Sequence, residues 1–142
     1  LFAASRRQHL VEKIAPALAQ GMLVLCDRYV DSSLVYQGIA RGLGVEEVFA
    51  INKFAIEDAM PDLTIFIDVT PDVGLARVFK NKNREVNRLD LEQRDFHKMI
   101  YDGYQRLMRK YPDRIVGIAG ERPITDVAMD AIRLIEKKLQ EK

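Results

Sequence analysis

The chain has 142 residues, 48% of them hydrophobic and 30% charged, and 22 Lys+Arg stand against 21 Asp+Glu for a formal net charge of +1. That length and balance suit one domain with a real core and exclude a disordered tail, a collagen or a coiled coil, while the near-neutral charge argues against a general nucleic-acid or membrane-surface binder. No run approaches the ~20 apolar residues of a membrane helix, no charged-then-apolar leader pattern opens the chain, and one cysteine, Cys26, cannot close an internal disulfide, which fits a reducing cytosol.

Residues from Phe2 to about Gln20 read as a helix, with Leu10, Ile14 and Leu18 four apart on one face, a bend at Pro16 and a stop at Gly21. Met22-Leu23-Val24-Leu25-Cys26 is apolar without alternation and ends abruptly at Asp27-Arg28. Such a run predicts a strand buried on both faces of a parallel sheet. A helix-like stretch from about Ser32 to Ala40 leads into a turn through Gly42 and Gly44. Val45 to Met60 carries Val48, Ile51 and Ala55 together with Phe49, Phe54 and Ile56, apolar on more than one face, which predicts a largely buried helix ended by Pro61-Asp62.

Leu63 to Val69 reads as a second apolar strand, and Thr70-Pro71 opens the next helix with a cap and a first-turn proline. From Lys80 to Asp90 the chain is polar and charged without an apolar period, which predicts a mobile loop. Helix resumes near Glu92, with Phe96, Ile100, Tyr104, Leu107, Met108 and Tyr111 at helical spacing. Arg114 to Ala119 is a third short strand. Pro123, Thr125 and Asp126 start a last helix carrying Val127, Ala131, Ile135 and Leu139. Strands alternating with helices predict an α/β domain with a parallel sheet.

In open α/β sheets ligands bind at the carboxyl ends of the strands. The residues at that place after the first strand are Asp27-Arg28-Tyr29-Val30-Asp31-Ser32-Ser33-Leu34-Val35-Tyr36-Gln37-Gly38. A strand-end carboxylate can hold a metal ion or its water, and the arginine beside it offers a planar fork to a phosphate. Ser33, Tyr36 and Gln37 fall at three- and four-residue spacing, so a helix points them to one side as a small polar wall. Gln37 can donate and accept at once, which suits a base edge with both kinds of group. The plain alternative, a strand cap with Asp27 and Arg28 paired on the surface, stands beside this reading on composition alone.

Taken with Leu1-Phe2-Ala3-Ala4-Ser5-Arg6-Arg7-Gln8-His9 and Asn87-Arg88-Leu89-Asp90 followed by Phe96 and Gly103-Tyr104, the Asp27-Arg28-Tyr29…Ser32-Ser33…Tyr36-Gln37-Gly38 stretch resembles the thymidylate kinases of bacteria. The resemblance implies a P-loop nucleoside-monophosphate-kinase fold, a parallel sheet flanked by helices, and transfer of the terminal phosphoryl of ATP to dTMP with Mg²⁺. It implies that Phe2 stacks on thymine and Arg6 bonds its carbonyl edge, and an aromatic face and a guanidinium four apart on a helix do meet one planar ligand. It further implies that Asp27 supports the magnesium, through water, and the attacking phosphate. Arg28 clamps the dTMP phosphate, Ser33 and Gln37 contact the base, and Tyr36 packs on the sugar and disfavours a 2′-hydroxyl.

Lys80, Lys82, Arg84 and Arg88 crowd the charged loop, a lid at about residues 80–91. Phosphoryl transfer needs positive charge over the equatorial oxygens, and a closing lid can deliver it while excluding water. Arg84 and Arg88 are assigned that role on the ATP phosphates, Lys80 and Lys82 a solvated one, with Arg77 a weaker candidate. No G-x-x-x-x-G-K-[ST] occurs, and Gly42 and Gly44 lack the following Lys-Ser or Lys-Thr. The resemblance therefore predicts that the chain is the C-terminal two-thirds of a single kinase domain of ~210 residues. It predicts that the absent part holds the phosphate loop and two strands, and that the chain alone is poorly stable and unable to bind ATP productively. The resemblance also implies a cytoplasmic homodimer packed through helices, with no nucleic-acid or membrane partner. A deoxynucleoside kinase of the same fold, which has no substrate phosphate to hold, and a catalytically silent nucleotide-binding module are the competing readings.

Overall fold

A computed structural model describes residues 1–80 and 94–141, which form two compact units, Leu1–Pro61 and Asp62–Lys142. The first unit opens with helix α1 (Phe2–His9), which continues through a π-helical segment (Leu10–Ile14) into α2 (Ala15–Ala19). Pro16 explains the change of pitch. It has no N–H to give to Glu12, and its ring would meet that carbonyl in a regular α-helix. The coil widens upstream instead, and the Ala15 N–H reaches back five residues to the Leu10 carbonyl. Leu10 and Ile14 are buried as the spacing predicts, whereas Leu18 is exposed; Gly21, at φ +75°, follows the end of the helix.

Helix α3 (Val30–Ser33) also runs on as a π-helical segment (Leu34–Ala40), and α4 (Val45–Ile56) follows the glycine turn. Gly38 lets these two elements meet: a Cβ there would stand 3.1 Å from Val45 Cα and 3.2 Å from the Gly44 carbonyl oxygen. Helix α4 packs on α1, α3 and the 34–40 segment. The core of this unit is Leu10, Ile14, Val30, Leu34, Val35, Val48, Ala55 and Ile56.

Three expectations fail here. Helix α4 ends at Ile56 and not at Met60, because Glu57 turns left-handed at φ +54° with its N–H on the Lys53 carbonyl at 2.8 Å. Nor is it largely buried, since Ile51 is 60% and Phe54 89% exposed. Its neighbours cover one side, and at 100° per residue those two side chains fall on another. The Met22–Cys26 run forms no strand either; Met22, Leu23, Leu25 and Cys26 are exposed. A strand exists by pairing, and among the described residues the ladder forms elsewhere.

The second unit holds that ladder. Strand β1 (Thr64–Asp68) lies parallel to β2 (Ile115–Ala119), in register from Thr64 opposite Ile115 to Asp68 opposite Ala119. The described sheet thus has two strands where the sequence predicts three. Helix α5 (Pro71–Lys80) follows β1, α6 (Arg94–Lys110) precedes β2 and α7 (Ile124–Gln140) follows it; α6 and α7 pack on β2. Phe96, Ile100, Gly103 and Leu107 are buried along α6 at helical spacing, and Tyr104 stacks on Phe66 with ring centroids 4.8 Å apart. At the carboxyl end of the sheet the Gly120 N–H donates to the Asp68 carbonyl at 2.8 Å, and Arg77 donates to the Gly120 carbonyl at 2.9 Å. Arg77 is therefore tied to the strand-end backbone. Lys80 is exposed at the end of α5, and Lys82, Arg84, Arg88 and the rest of the predicted lid lie outside the described residues.

Candidate active site

The predicted base-binding residues come together in the first unit. A pocket of about 160 Å³ opens between α1, the α3–π segment and α4, with Phe2, Ser33, Gln37, Val48, Ile51 and Asn52 in its wall. The volume is of the order of an engineered cavity of about 150 Å³ that holds benzene, although this pocket is open to solvent. Phe2 contributes an exposed aromatic face at the start of α1, and Ser33, Gln37 and Asn52 contribute the polar groups. An apolar lining with few polar groups is how ring ligands are both held and oriented.

Arg6, one helical turn after Phe2, lies behind this wall and is bonded to two of its members. Its Nη1 donates to Asn52 Oδ1, and its Nη2 donates to Ser33 Oγ at 3.0 Å and to the Tyr29 carbonyl at 3.1 Å. The guanidinium also lies 5.3 Å from the centre of the Tyr29 ring. Burial lowers the Arg6 pKa, partly offset by Tyr29 and Cys26. Burial likewise raises the Tyr29 phenol, and the partial screening of the otherwise exposed Cys26 raises its thiol, while nearby Arg6 pulls both back. The Tyr29 hydroxyl is buried without a hydrogen-bond partner.

Arg28 and Tyr36 form a second pair beside the pocket: the guanidinium lies 5.0 Å from the ring centre. Arg28 adopts φ +65°, the left-handed region that L side chains rarely enter. Neither Arg28 nor Tyr36 stands in the pocket wall. Asp27 is exposed on the bend before Arg28 and also stands outside the pocket wall.

Among the described residues no three His, Cys, Asp or Glu side chains gather into a metal cage. A single exposed carboxylate is nevertheless a donor set Mg²⁺ accepts, because it keeps several waters and takes its other oxygens from substrate phosphates. Asp27 fits that role.

Sequence reasoning missed Asn52 and the part played by Tyr29. The available signal was faint: Asn52 is four residues after Val48 on an apolar helix face, where a buried amide needs partners.

The thymidylate kinase family model matches residues 1–131. The thymidylate kinase of Oceanobacillus iheyensis is 57% identical over 142 residues, all of this chain and 63% of that protein. That of Bacillus cytotoxicus is 54% identical over 139 residues, 98% of this chain and 67% of that protein. A crystal structure of thymidylate kinase from Ehrlichia chaffeensis superposes with a TM-score of 0.70 at 29% identity, covering 94% of this chain and 60% of that one. The chain thus spans a little under two thirds of the Oceanobacillus relative. With the family model running through both units, and relatives above half identity matching the whole chain, this chain belongs to the thymidylate kinase family.

Proposed function

We propose that this chain carries the dTMP side of a kinase that moves the terminal phosphoryl of ATP onto dTMP, giving dTDP. The observation that carries the reading is the ring-sized pocket with an aromatic face at Phe2 and polar groups from Ser33, Gln37 and Asn52. In that pocket the thymine ring stacks on Phe2, Ser33 and Gln37 meet its hydrogen-bonding edge, and Arg6 supplies positive charge at its carbonyl side. Tyr36 packs on the sugar. Arg28, stacked on Tyr36, turns its remaining N–H groups to the dTMP phosphate. Asp27 would support the attacking phosphate and, through water, the magnesium. When bound with ATP, Mg²⁺ would neutralise charge on the phosphate oxygens. Arg84 and Arg88, outside the described residues, belong to the same proposal as the arginines of the ATP phosphates.

The reading extends to a cytoplasmic homodimer packed through helices. Val11 and Leu18, each 51% exposed on the opening helical stretch, are apolar surface that such a contact would cover.

Calorimetric titration with dTMP and thymidine tests the substrate. A kinase for dTMP binds the nucleotide about tenfold or more tighter than the nucleoside, because an arginine–phosphate bond adds about 1.5–3 kcal/mol. Equal affinities would favour the deoxynucleoside kinase, and no binding of either would end the proposal. Mg-ATP turnover is expected only in a polypeptide that also carries a phosphate loop.

A further inference from the structure

We infer that Asn52 is a positioning residue that fixes the Arg6 guanidinium, and through it the Ser33 hydroxyl, at the base end of the pocket; the inference rests on the dTMP reading above. Asn52 is only 4% exposed, on the α4 face that also buries Val48, Ala55 and Ile56. An apolar side chain would suit that face better: asparagine is a poor helix former, and its amide is costly to bury unless both ends are bonded. Both ends are bonded. Nδ2 donates to the Val48 carbonyl at 2.7 Å, one turn back, and Oδ1 accepts from Arg6 Nη1. The amide has one workable orientation, because a flip would set its oxygen against a carbonyl and its NH₂ against the guanidinium.

This bond completes a three-point hold. Arg6 Nη2 is shared between the Tyr29 carbonyl and Ser33 Oγ, and Nη1 goes to Asn52. A guanidinium is a rigid planar fork, so anchoring both terminal nitrogens on separate elements fixes its plane. With Asn52 Oδ1 removed, both remaining bonds act on one nitrogen, and the plane can swing about it. Ser33 also changes meaning under this hold. Its oxygen accepts from Arg6, so its own O–H is aimed elsewhere, as a donor to a base carbonyl in the pocket that Ser33 and Asn52 both line.

The test measures dTMP affinity by calorimetry in the 142-residue chain for wild type, N52L, N52D and R6A, with N52L repeated on R6A. N52L should weaken dTMP binding about tenfold or more. N52D keeps an acceptor for Arg6 but sets its second oxygen against the Val48 carbonyl, so in folded protein it should recover most, not all, of the loss seen in N52L. On the R6A background N52L should add less than about threefold, because the two residues act as a unit. The inference is overturned if folded N52L binds like wild type, if N52D is as weak as N52L, or if N52L costs as much without Arg6 as with it. Should N52L prove unfolded by circular dichroism, N52S replaces it: too short to reach Arg6, it should fall about tenfold below N52D, and equal affinities overturn the inference. A wild-type chain that takes up no dTMP overturns the pocket reading and this inference together.

Discussion

Arg28 is the sharpest point at which backbone, packing and function meet, and replacing it separates the three. Its φ of +65° costs an L residue roughly 1–2 kcal/mol that glycine does not pay. Its stacking on Tyr36, 5.0 Å from the ring centre and solvent-exposed, returns about 0.5–1 kcal/mol. Arg28→Ala therefore loses the stacking and keeps the strain, and should be destabilised by about 0.5–1 kcal/mol. Arg28→Gly loses the same stacking but sheds the strain, less about 0.5–1 kcal/mol for its more flexible unfolded chain. The glycine variant should stand about 1 kcal/mol above the alanine variant, or roughly 0.5 M in urea midpoint at an m-value of about 2 kcal/mol/M. Both should lose about 10- to 100-fold in dTMP affinity while thymidine affinity changes by less than about threefold. An alanine variant as stable as the glycine one would refute the strain argument. A parallel loss of thymidine would refute the phosphate role.

Three further substitutions probe particular contacts. Tyr29→Phe should raise stability by about 1 kcal/mol in urea unfolding, because the hydroxyl it deletes is buried without a partner. Burial of Tyr29 and partial screening of Cys26 also hold the phenol and the thiol above their ordinary values of 10.0 and 9.0. The folded state keeps those protons where the unfolded state releases them, so their contribution is complete below about pH 9 and is lost as pH rises; Tyr29→Phe should flatten the alkaline part of the profile. Gly120→Ala should cost about 1–3 kcal/mol in thermal unfolding of the second unit, since the new Cβ would stand 2.5 Å from methyl carbons of both Ile67 and Val69 and 3.2 Å from the Asp68 carbonyl oxygen. Phe54→Ser should change stability by less than about 0.5 kcal/mol despite removing an aromatic ring, because that ring is 89% exposed; a loss of several kcal/mol would show that the ring is covered in solution.

The elements that local chemistry specifies were readable in the chain. Thr70-Pro71 and Pro123 mark the starts of α5 and α7, the spacing of Phe96, Ile100 and Leu107 marks the buried stripe of α6, and the two apolar runs at Thr64 and Ile115 become the parallel pair. Met22–Cys26 shows the limit of the same reasoning. Its composition is that of a buried strand, but whether an apolar run becomes a strand depends on what lies beside it, and sequence spacing does not report that. Ile51 and Phe54 fail for a related reason: hydrophobicity around a helix gives the faces that could be buried, while the neighbours decide which one is.

The pocket divides in the same way. Ser33 and Gln37 stand in one pocket wall, as their spacing on a helix suggests, and Phe2, singled out through the family resemblance, lines the same pocket. Arg6 was singled out in the same way, although it bonds to the wall of the pocket from behind. Asn52 was not, because its meaning lies in a bond to a residue 46 positions away.

The proposed role of the pocket lined by Phe2, Ser33, Gln37 and Asn52 is to hold thymine. Titrating the 142-residue chain with dTMP and with dCMP tests it most directly, since the two differ in base and share sugar and phosphate. The account predicts that dTMP binds at least about tenfold tighter, because a polar wall matched to one hydrogen-bonding edge is left unpaired by the other. Equal affinity for the two nucleotides, or no uptake of dTMP by a chain shown to be folded by circular dichroism, would contradict it.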